Sequence, residues 1–319
     1  MASGRAREPG PLLEAARAGD RAALARLLSM VEGGGEPARD VGRLAYPLTG
    51  RSYTVGLTGA PGAGKSTLTS ALLAHLREHD EQVAVLAIDP TSPFSGGAIL
   101  GDRVRMQDHA TDPGVFIRSM ATRGHLGGLA LAVPEAVRLL DAVGKPLVIV
   151  ETVGVGQVEV EIAGQADTAV VVVNPGWGDG VQANKAGLME IADVFVINKA
   201  DRQGVAETKR DLELMLDMSE LGEWRPPIVS AVATDGTGIT DVWDAVVGHR
   251  AFMDKSGGLE QRRAARTRRE LHQIVTNRLE KRARELLRGM TYDELEQSVL
   301  DRDLDPWAAA DVLLGEVDA

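Results

Sequence analysis

The sequence of 319 residues contains no cysteine, and aromatic side chains make up only 3% of it. Without thiols the chain can form neither a disulfide framework nor a thiolate metal site, and it has no cysteine nucleophile. No apolar run approaches the roughly 18 residues of a membrane span, and the arginine-containing N-terminus lacks the apolar stretch of a signal peptide. We therefore expect a cytoplasmic protein without a membrane partner, packed mainly by Leu, Val, Ala and Ile.

The charge balance argues against nucleic-acid binding as the main function. Acidic residues outnumber Lys and Arg by 46 to 35, a net charge of −11, which disfavours non-specific nucleic-acid binding as the main task. Hydrophobic residues (44%) and charged residues (25%) occur at frequencies ordinary for a globular protein. The chain is long enough for one large domain with appendages.

A phosphate-binding loop is the most informative motif. Residues 59–66 read Gly-Ala-Pro-Gly-Ala-Gly-Lys-Ser and fit G-x-x-x-x-G-K-[ST], between a strand-like run (53–58) and a helical run (67–73). Glycines allow successive N–H groups to curl around a polyphosphate, and the helix N-terminus adds to the attraction. We expect Lys65 to reach the β- and γ-phosphates of a nucleoside triphosphate and Ser66 to bind Mg²⁺.

Apolar runs alternate with helical stretches between residues 50 and 250, which predicts βαβ units and a parallel sheet. The predicted strands are Val55–Thr58, Val83–Asp89, Val115–Arg118, Leu147–Glu151, Thr168–Asn174, Val194–Asn198 and Ile228–Ser230. Several end in polar residues, and carboxyl ends of parallel strands are where ligands bind. The predicted fold class is α/β, a three-layer αβα P-loop domain with a mostly parallel sheet.

Helical segments flank this domain. Residues 9–48 should form two short helices that break at Gly19-Asp20 and end at the glycine run 33–35, packed as a lid on the main domain. The predicted domains are an N-terminal helical segment (1–48), a G domain (49–252) and a C-terminal helical extension (253–319).

The C-terminal extension contains an amphipathic helix. Its apolar stripe between Leu271 and Leu287 should dock on its own domain or on a second subunit. Arginines cluster at 262–269, but no stacking aromatic residues lie among them. We therefore predict that these arginines form a solvated helix face rather than a nucleic-acid site.

Residues 198–201 predict the base. Asn198-Lys199-Ala200-Asp201 follows an apolar run and matches N-K-x-D, the guanine-reading motif of GTPases. The Asp201 carboxylate would accept two hydrogen bonds from guanine that adenine cannot supply, and Lys199 would lie along the base plane. Ser230-Ala231, after the next strand, resembles the loop that supports guanine O6. The predicted nucleotide-binding residues are Gly59, Ala60, Pro61, Gly62, Ala63, Gly64, Lys65, Ser66, Thr67, Asn198, Lys199, Asp201, Ser230, Ala231 and Val232.

Glu151 ends another apolar run and takes the place of Asp in the D-x-x-G switch of small GTPases, with Gly154 as its glycine. Glu151 would bind Mg²⁺ directly or through water, and the Gly154 amide would sense the γ-phosphate. A buried glutamate in a salt bridge is the alternative, since such a carboxylate needs a partner in either case.

Three stretches resemble the MeaB/ArgK family of SIMIBI-class P-loop GTPases, to which the methylmalonic aciduria type A protein belongs: Asp89–Arg103, Glu151–Gln157 and Asn198–Asp201. The similarity covers roughly residues 10–290. It implies a GTPase chaperone that attends an adenosylcobalamin-dependent acyl-CoA mutase of the methylmalonyl-CoA type, gates its cofactor loading, and protects or reactivates it. It also implies a homodimer joined through the C-terminal extension. Cobalamin would belong to the partner, because the chain lacks the D-x-H-x-x-G motif of such mutases.

The resemblance also assigns roles to particular positions. Gln157 is placed to orient the attacking water, and the acidic residues surround the metal. The implied catalytic residues are Lys65, Asp102, Glu151, Gly154 and Gln157, and the implied metal ligands are Ser66, Asp89, Asp102 and Glu151. A third switch, residues 175–185, would relay the nucleotide state to the mutase. Trp177, Gly180 and Asn184 depart there from the usual family pattern, which leaves the identity of the mutase open. The implied switch and partner residues are Arg105, Gly178, Asp179, Gln182 and Lys185.

Three alternatives stay open. A kinase linked to amino-acid transport could use Asp102 as its base, although N-K-x-D favours GTP. A nickel-type metallochaperone GTPase would have Cys or clustered His near its switches, whereas the six histidines here are scattered. A nucleotide-binding scaffold without turnover is the third.

Overall fold

The computed structural model describes residues 8–89, 109, 111–121, 126–152, 164–176, 188–219, 222–288 and 290–315. The predicted site residues Asp102, Arg105, Gly154, Gln157, Gly178, Asp179, Gln182 and Lys185 lie outside these ranges. The helices are α1 (Pro9–Arg17), α2 (Arg21–Gly33), α3 (Gly35–Ala45), a 3₁₀ turn (Tyr46–Leu48), α4 (Lys65–Glu78), α5 (Leu126–Ala142), α6 (Val205–Met218), α7 (Ile239–Ser256), α8 (Gly258–Leu286), α9 (Met290–Leu300) and α10 (Pro306–Gly315). The strands are β1 (Tyr53–Gly59), β2 (Val83–Asp89), β3 (Val115–Ala121), β4 (Leu147–Thr152), β5 (Thr168–Val173), β6 (Val194–Asn198) and β7 (Ile228–Ala231).

The strands form one parallel seven-stranded sheet in the order β3-β2-β4-β1-β5-β6-β7. Every residue of β1, β4, β5 and β6 is buried, as expected for strands covered on both faces. The predicted strands are all present, and their ends differ from the prediction by only a few residues. The prediction of an α/β domain with a mostly parallel sheet is confirmed.

Apolar layers cover both faces of the sheet. On one face, α1, α2, α3 and α5 pack against β2, β3 and β4 around the buried Leu27, Leu86 and Leu139. On the other, α4 and α7 pack against the central strands around Leu68 and Val170. Burying an aliphatic side chain of this size stabilises the fold by about 1.5–3 kcal/mol, so these layers hold β1 and the loop that follows it in place.

The N-terminal region has one more helix than predicted. Asp20 separates α1 from α2 as expected, and its carboxylate caps α2 by accepting hydrogen bonds from the N–H groups of Ala22 and Ala23 at 2.8 and 3.1 Å. The glycine run, however, does not end the helical region. Gly34 has φ +69° and turns the chain directly into α3. This helix was not predicted, because it begins with Gly-Glu-Pro.

The chain divides into two compact units, Met1–Arg263 and Ala264–Ala319. The second unit contains the rest of α8 together with α9 and α10. Along α8, Leu271, Val275 and Leu279 are 63%, 47% and 59% exposed. These three residues of the predicted apolar stripe are therefore exposed, whereas Ile274 and Leu286 are half-buried. No helix in the described part of the chain is long and apolar enough to cross a membrane.

The prediction that Arg262 and Arg263 belong to a solvated helix face is wrong. Arg262 donates two hydrogen bonds to the carboxylate of Asp193, at 2.6 and 2.8 Å, and Arg263 donates two to that of Asp167, at 2.6 and 3.1 Å. These carboxylates lie directly before β6 and β5, at the edge of the sheet opposite the phosphate loop. Only later arginines of the cluster, such as Arg269, are exposed.

These ion pairs belong to a larger, mostly buried cluster of polar side chains at the starts of the strands, which we call the base cluster. It consists of Tyr53, Asp167, Thr168, Asp193, His249, Arg262 and Arg263. Burial would raise the pKa of Asp193, but hydrogen bonds from Arg262 and His249 outweigh it and hold the pKa below its ordinary value. Burial raises the pKa of Tyr53 to about 12, although its hydroxyl lies 2.6 Å from Oγ1 of Thr168. The base cluster therefore fixes the beginning of α8, up to Arg263, to the starts of β5 and β6.

Candidate nucleotide-binding site

The phosphate loop connects the end of β1 to the start of α4, as the motif predicts. Gly59 has φ +142°, and a Cβ there would lie 1.9 Å from the carbonyl oxygen of Val172. Gly64 has φ +90°, and its Cβ would lie 2.5 Å from Nδ2 of Asn198. Only glycine fits at either position, because a side chain would collide with neighbouring strand ends.

Lys65 lies inside this loop, with its side chain buried. Its ammonium group donates hydrogen bonds to the carbonyl oxygens of Gly59 and Ala60, at 2.8 and 3.1 Å. The positive charge is therefore held against the inner side of the turn that is predicted to enclose phosphates.

Glu151 closes the opposite side of the loop from the end of β4. It is 1% exposed, and its two carboxylate oxygens bind two hydroxyls of α4. Ser66 Oγ donates to Oε1 at 2.6 Å, and Thr69 Oγ1 donates to Oε2 at 2.8 Å. The predicted Ser66 and Glu151 are thus in direct contact. Thr69 was missed, although its spacing of three from Ser66 places it on the same helix face.

Asp89 ends β2, which pairs with β4 so that Ile88 lies opposite Thr152. Its backbone is therefore at the same edge of the sheet as Glu151. The Glu151 carboxylate and the Ser66 hydroxyl are oxygen ligands of the kind that Mg²⁺ prefers, so these two groups fit the predicted metal. Within the described ranges, no group of three or more acidic or histidine side chains converges on one point.

Asn198 joins the base-reading motif to the phosphate loop. It is 2% exposed at the end of β6. Its Nδ2 donates to the carbonyl oxygen of Ala63 at 2.8 Å, and its Oδ1 accepts from the N–H of Ala233 at 3.1 Å. One amide side chain thus spans the loops that follow β1, β6 and β7.

Lys199 makes a second connection. It adopts the left-handed backbone conformation, with φ +60°, and Nζ donates to the carbonyl oxygen of Gly62 at 2.6 Å. Asp201, in the following turn, is exposed and makes no hydrogen bond or ion pair to any other described residue. Its carboxylate is therefore accessible to a base, as the N-K-x-D motif requires.

The loop after β7 lies beside this motif. Ala231 is buried, and its carbonyl oxygen accepts a hydrogen bond from the N–H of Ala200 at 3.0 Å. Val232 is held by a backbone hydrogen bond to Thr237 at 2.9 Å, whereas the side chain of Ser230 is exposed. Thr67, in the first turn of α4, is half-buried. The described residues predicted to bind the nucleotide are therefore brought to one edge of the sheet.

Known proteins resemble the chain over most of its length. The family model described as Methylmalonyl Co-A mutase-associated GTPase MeaB matches residues 24–287. A protein of Pyrococcus abyssi named as a GTPase is 52% identical over 311 residues, 96% of both chains. GTPase ArgK of Escherichia coli K12 is 37% identical, over 82% of this chain and 83% of its own. The mitochondrial methylmalonic aciduria type A homolog of Mus musculus is 34% identical, over 93% of this chain and 76% of its own.

The fold is shared as well. The crystal structure of an LAO/AO transport system kinase matches with a TM-score of 0.71 at 27% identity, over 98% of both chains. The family match, the relatives named as GTPases and the phosphate loop agree with one another, so the predictions of family and of GTPase activity are confirmed. The chain belongs to the methylmalonyl Co-A mutase-associated GTPase family, MeaB.

Proposed function

We propose that the site binds GTP with Mg²⁺ and that hydrolysis switches the affinity of the protein for a mutase. The observation that carries the nucleotide assignment is the pair of hydrogen bonds from Asn198 and Lys199 to the phosphate loop. They place the base-reading motif and the phosphate-binding turn against each other, so one ligand with a guanine and a polyphosphate would contact both.

Ser66 and Glu151 would hold Mg²⁺, together with Asp89 and Asp102. When bound, the metal would neutralise negative charge on the phosphates. The ammonium group of Lys65 would exchange its carbonyl partners for phosphate oxygens and stabilise charge that develops on the γ-phosphate. Gln157 would orient the attacking water and the Gly154 amide would contact the γ-phosphate. No arginine is assigned to the transferred phosphate, so we expect slow intrinsic turnover that the partner accelerates.

The proposed partner is a cobalamin-dependent acyl-CoA mutase of the methylmalonyl-CoA type. The name of the family and that of the mouse relative support it. In this proposal the protein gates adenosylcobalamin loading and protects or reactivates the mutase, and cobalamin is bound only by the mutase. Arg105 and the third switch, with Gly178, Asp179, Gln182 and Lys185, would relay the nucleotide state.

We further propose a cytoplasmic homodimer joined through residues 253–319. The exposed Leu271, Val275 and Leu279 on α8 support this proposal, because an apolar helix face of this kind is buried when it meets a second copy.

Immobilised full-length protein, loaded with GDP or with a non-hydrolysable GTP analogue, should capture a purified acyl-CoA mutase in amounts that differ between the two states. A GTPase assay with and without the mutase should show stimulated phosphate release. An Asp201→Asn variant, whose GTP affinity should fall on the order of 100-fold, is the matched control. At a nucleotide concentration that saturates only the wild type, it should lose the difference. If no mutase binds in either state, the chaperone proposal fails while the GTPase assignment stands.

The kinase alternative has one supporting observation, the structural match to a protein named as a transport system kinase. Incubation with GTP labelled in the γ-phosphate and candidate acceptor proteins decides between the two. Label released only as inorganic phosphate would exclude the kinase, whereas label on an acceptor would favour it.

A further inference from the structure

Thr69 lies one turn beyond the phosphate loop, fully buried, on the face of α4 that carries Ser66. Its Oγ1 is 2.8 Å from Oε2 of Glu151 and 3.0 Å from the carbonyl oxygen of Lys65. The hydroxyl has a single proton to donate. The charged carboxylate is the stronger acceptor, so the proton belongs to the bond with Glu151.

The Glu151 carboxylate is therefore held at both ends, Oε1 by Ser66 and Oε2 by Thr69. A glutamate has one more rotatable bond than the aspartate usual at this switch position, and its terminal torsion is broad when nothing restrains it. Each hydroxyl restrains one of the two oxygens, and together they restrain rotation of the carboxylate plane.

We propose that Thr69 is a positioning residue that orients Glu151 toward the nucleotide-bound Mg²⁺ and thereby sets the metal affinity of the site. This inference rests on the proposed binding of GTP and Mg²⁺. Ser66 is itself a proposed metal ligand, whereas Thr69 acts only through Glu151. Residues that hold a metal ligand in place typically change metal affinity by about 10- to 100-fold when they are removed.

The test is the Mg²⁺ dependence of the release of a fluorescent GDP analogue from the full-length protein. Thr69→Val keeps the shape of the side chain and removes the donor. We expect the Mg²⁺ concentration that half-maximally slows release to rise by about 10-fold. Release in excess EDTA should stay unchanged, because Thr69 contacts the Glu151 carboxylate and the carbonyl oxygen of Lys65 but none of the groups assigned to the phosphates. Thr69→Ser keeps the hydroxyl and should restore the wild-type Mg²⁺ dependence.

Thr54→Val is the matched control for loss of a buried threonine hydroxyl. Thr54 is 7% exposed, and its Oγ1 accepts a hydrogen bond from the N–H of Asp167 at 2.8 Å, at the opposite edge of the sheet. This variant should lower the melting temperature without changing the Mg²⁺ dependence. A double-mutant cycle with Glu151→Gln completes the design. In that background Thr69→Val should add little, because its partner is no longer a charged metal ligand.

The outcomes separate the inference from the function on which it rests. If release from the wild-type protein does not respond to Mg²⁺, the proposed metal site fails. If the wild type responds and Thr69→Val responds equally, or Thr54→Val gives the same shift, the role of Thr69 is overturned while GTP binding stands. Should Thr69→Val not fold, Thr69→Ala, which introduces no new group, replaces it with the same expectation.

Discussion

Replacing Arg262 by methionine tests the base cluster, because it removes a charge while keeping a long side chain on α8. Arg262 donates two hydrogen bonds to Asp193 and a third, at 2.8 Å, to the carbonyl oxygen of Asp167. Asp193 is only 8% exposed and would retain His249 at 3.2 Å and the N–H of Ala169 at 2.8 Å. The variant therefore leaves a buried carboxylate with fewer partners than its charge requires.

Removing one partner of a buried pair costs about 3–5 kcal/mol. The Arg262 side chain is 30% exposed and solvent screens part of the interaction, so we expect the low end, about 3 kcal/mol. For a unit of this size that corresponds to a fall in melting temperature of about 6–12 °C at neutral pH. Thermal unfolding followed by circular dichroism measures it. Arg269→Met, on the exposed part of the same helix, is the matched control and should change the free energy of unfolding by less than about 0.5 kcal/mol.

The difference between Arg262→Met and the wild type should also depend on pH. The folded-state pKa of Asp193 is lowered, so the stability that it contributes is present above the unfolded pKa of about 3.9 and is lost as pH falls through the lower folded value. The two melting temperatures should therefore converge in acid. Equal losses for Arg262→Met and Arg269→Met, or a difference that persists unchanged through acid pH, would refute the reasoning.

Three further predictions concern single positions. Gly64→Ala places a Cβ 2.5 Å from Nδ2 of Asn198 at a φ of +90°, so GTP affinity measured by calorimetry should fall at least about tenfold; unchanged affinity would contradict the assigned loop geometry. Asp201→Asn should lower GTP affinity on the order of 100-fold and favour xanthosine triphosphate, whose base offers a complementary acceptor; equal loss for both nucleotides would argue against Asp201 as the base reader. Tyr53→Phe should remove a step near pH 12 from the phenolate absorbance titration and reduce the stability lost between the ordinary tyrosine pKa of about 10 and that value; loss of a step near pH 10 instead would show that Tyr53 ionises normally.

The strands could be predicted because each has an amino-acid composition typical of a buried strand. Continuous apolar runs such as Leu147–Glu151 and Val194–Asn198 have the composition of strands buried on both faces, and each became one. The phosphate loop and the base-reading motif could also be predicted from the sequence. Their glycines and their Asn-Lys pair meet geometric demands that few other residues satisfy. What the sequence could not provide is the order of the strands, since pairing is decided by packing between distant segments.

The contacts that were not predicted join residues far apart in the sequence, or depend on which way a side chain points. Arg262 and Arg263 resemble any charged helix face, and the carboxylates that bind them lie 69 and 96 residues earlier in the chain. In the sequence, Thr69 has no feature that distinguishes it from other helical residues. Only the fold brings the end of β4, and with it Glu151, next to Thr69. The helix α3 was missed because its glycine and proline disfavour a helix locally, while burial of Val41 and Ala45 in the apolar layer that α3 shares with α2 and α5 favours it.

The base cluster can be completed only late in the synthesis of the chain. Asp167 and Asp193 leave the ribosome well before Arg262 and Arg263, so β5 and β6 are available early without the arginines that stabilise their first residues. Until the start of α8 has been made, docking of these strands leaves two carboxylates inside the protein without their strongest partners, which is costly. A nascent chain that ends shortly before Arg262 would therefore lack the partners that stabilise the first residues of β5 and β6. Since Asn198 sits at the end of β6, the ability to bind nucleotide would arise late, when most of the chain has already been translated.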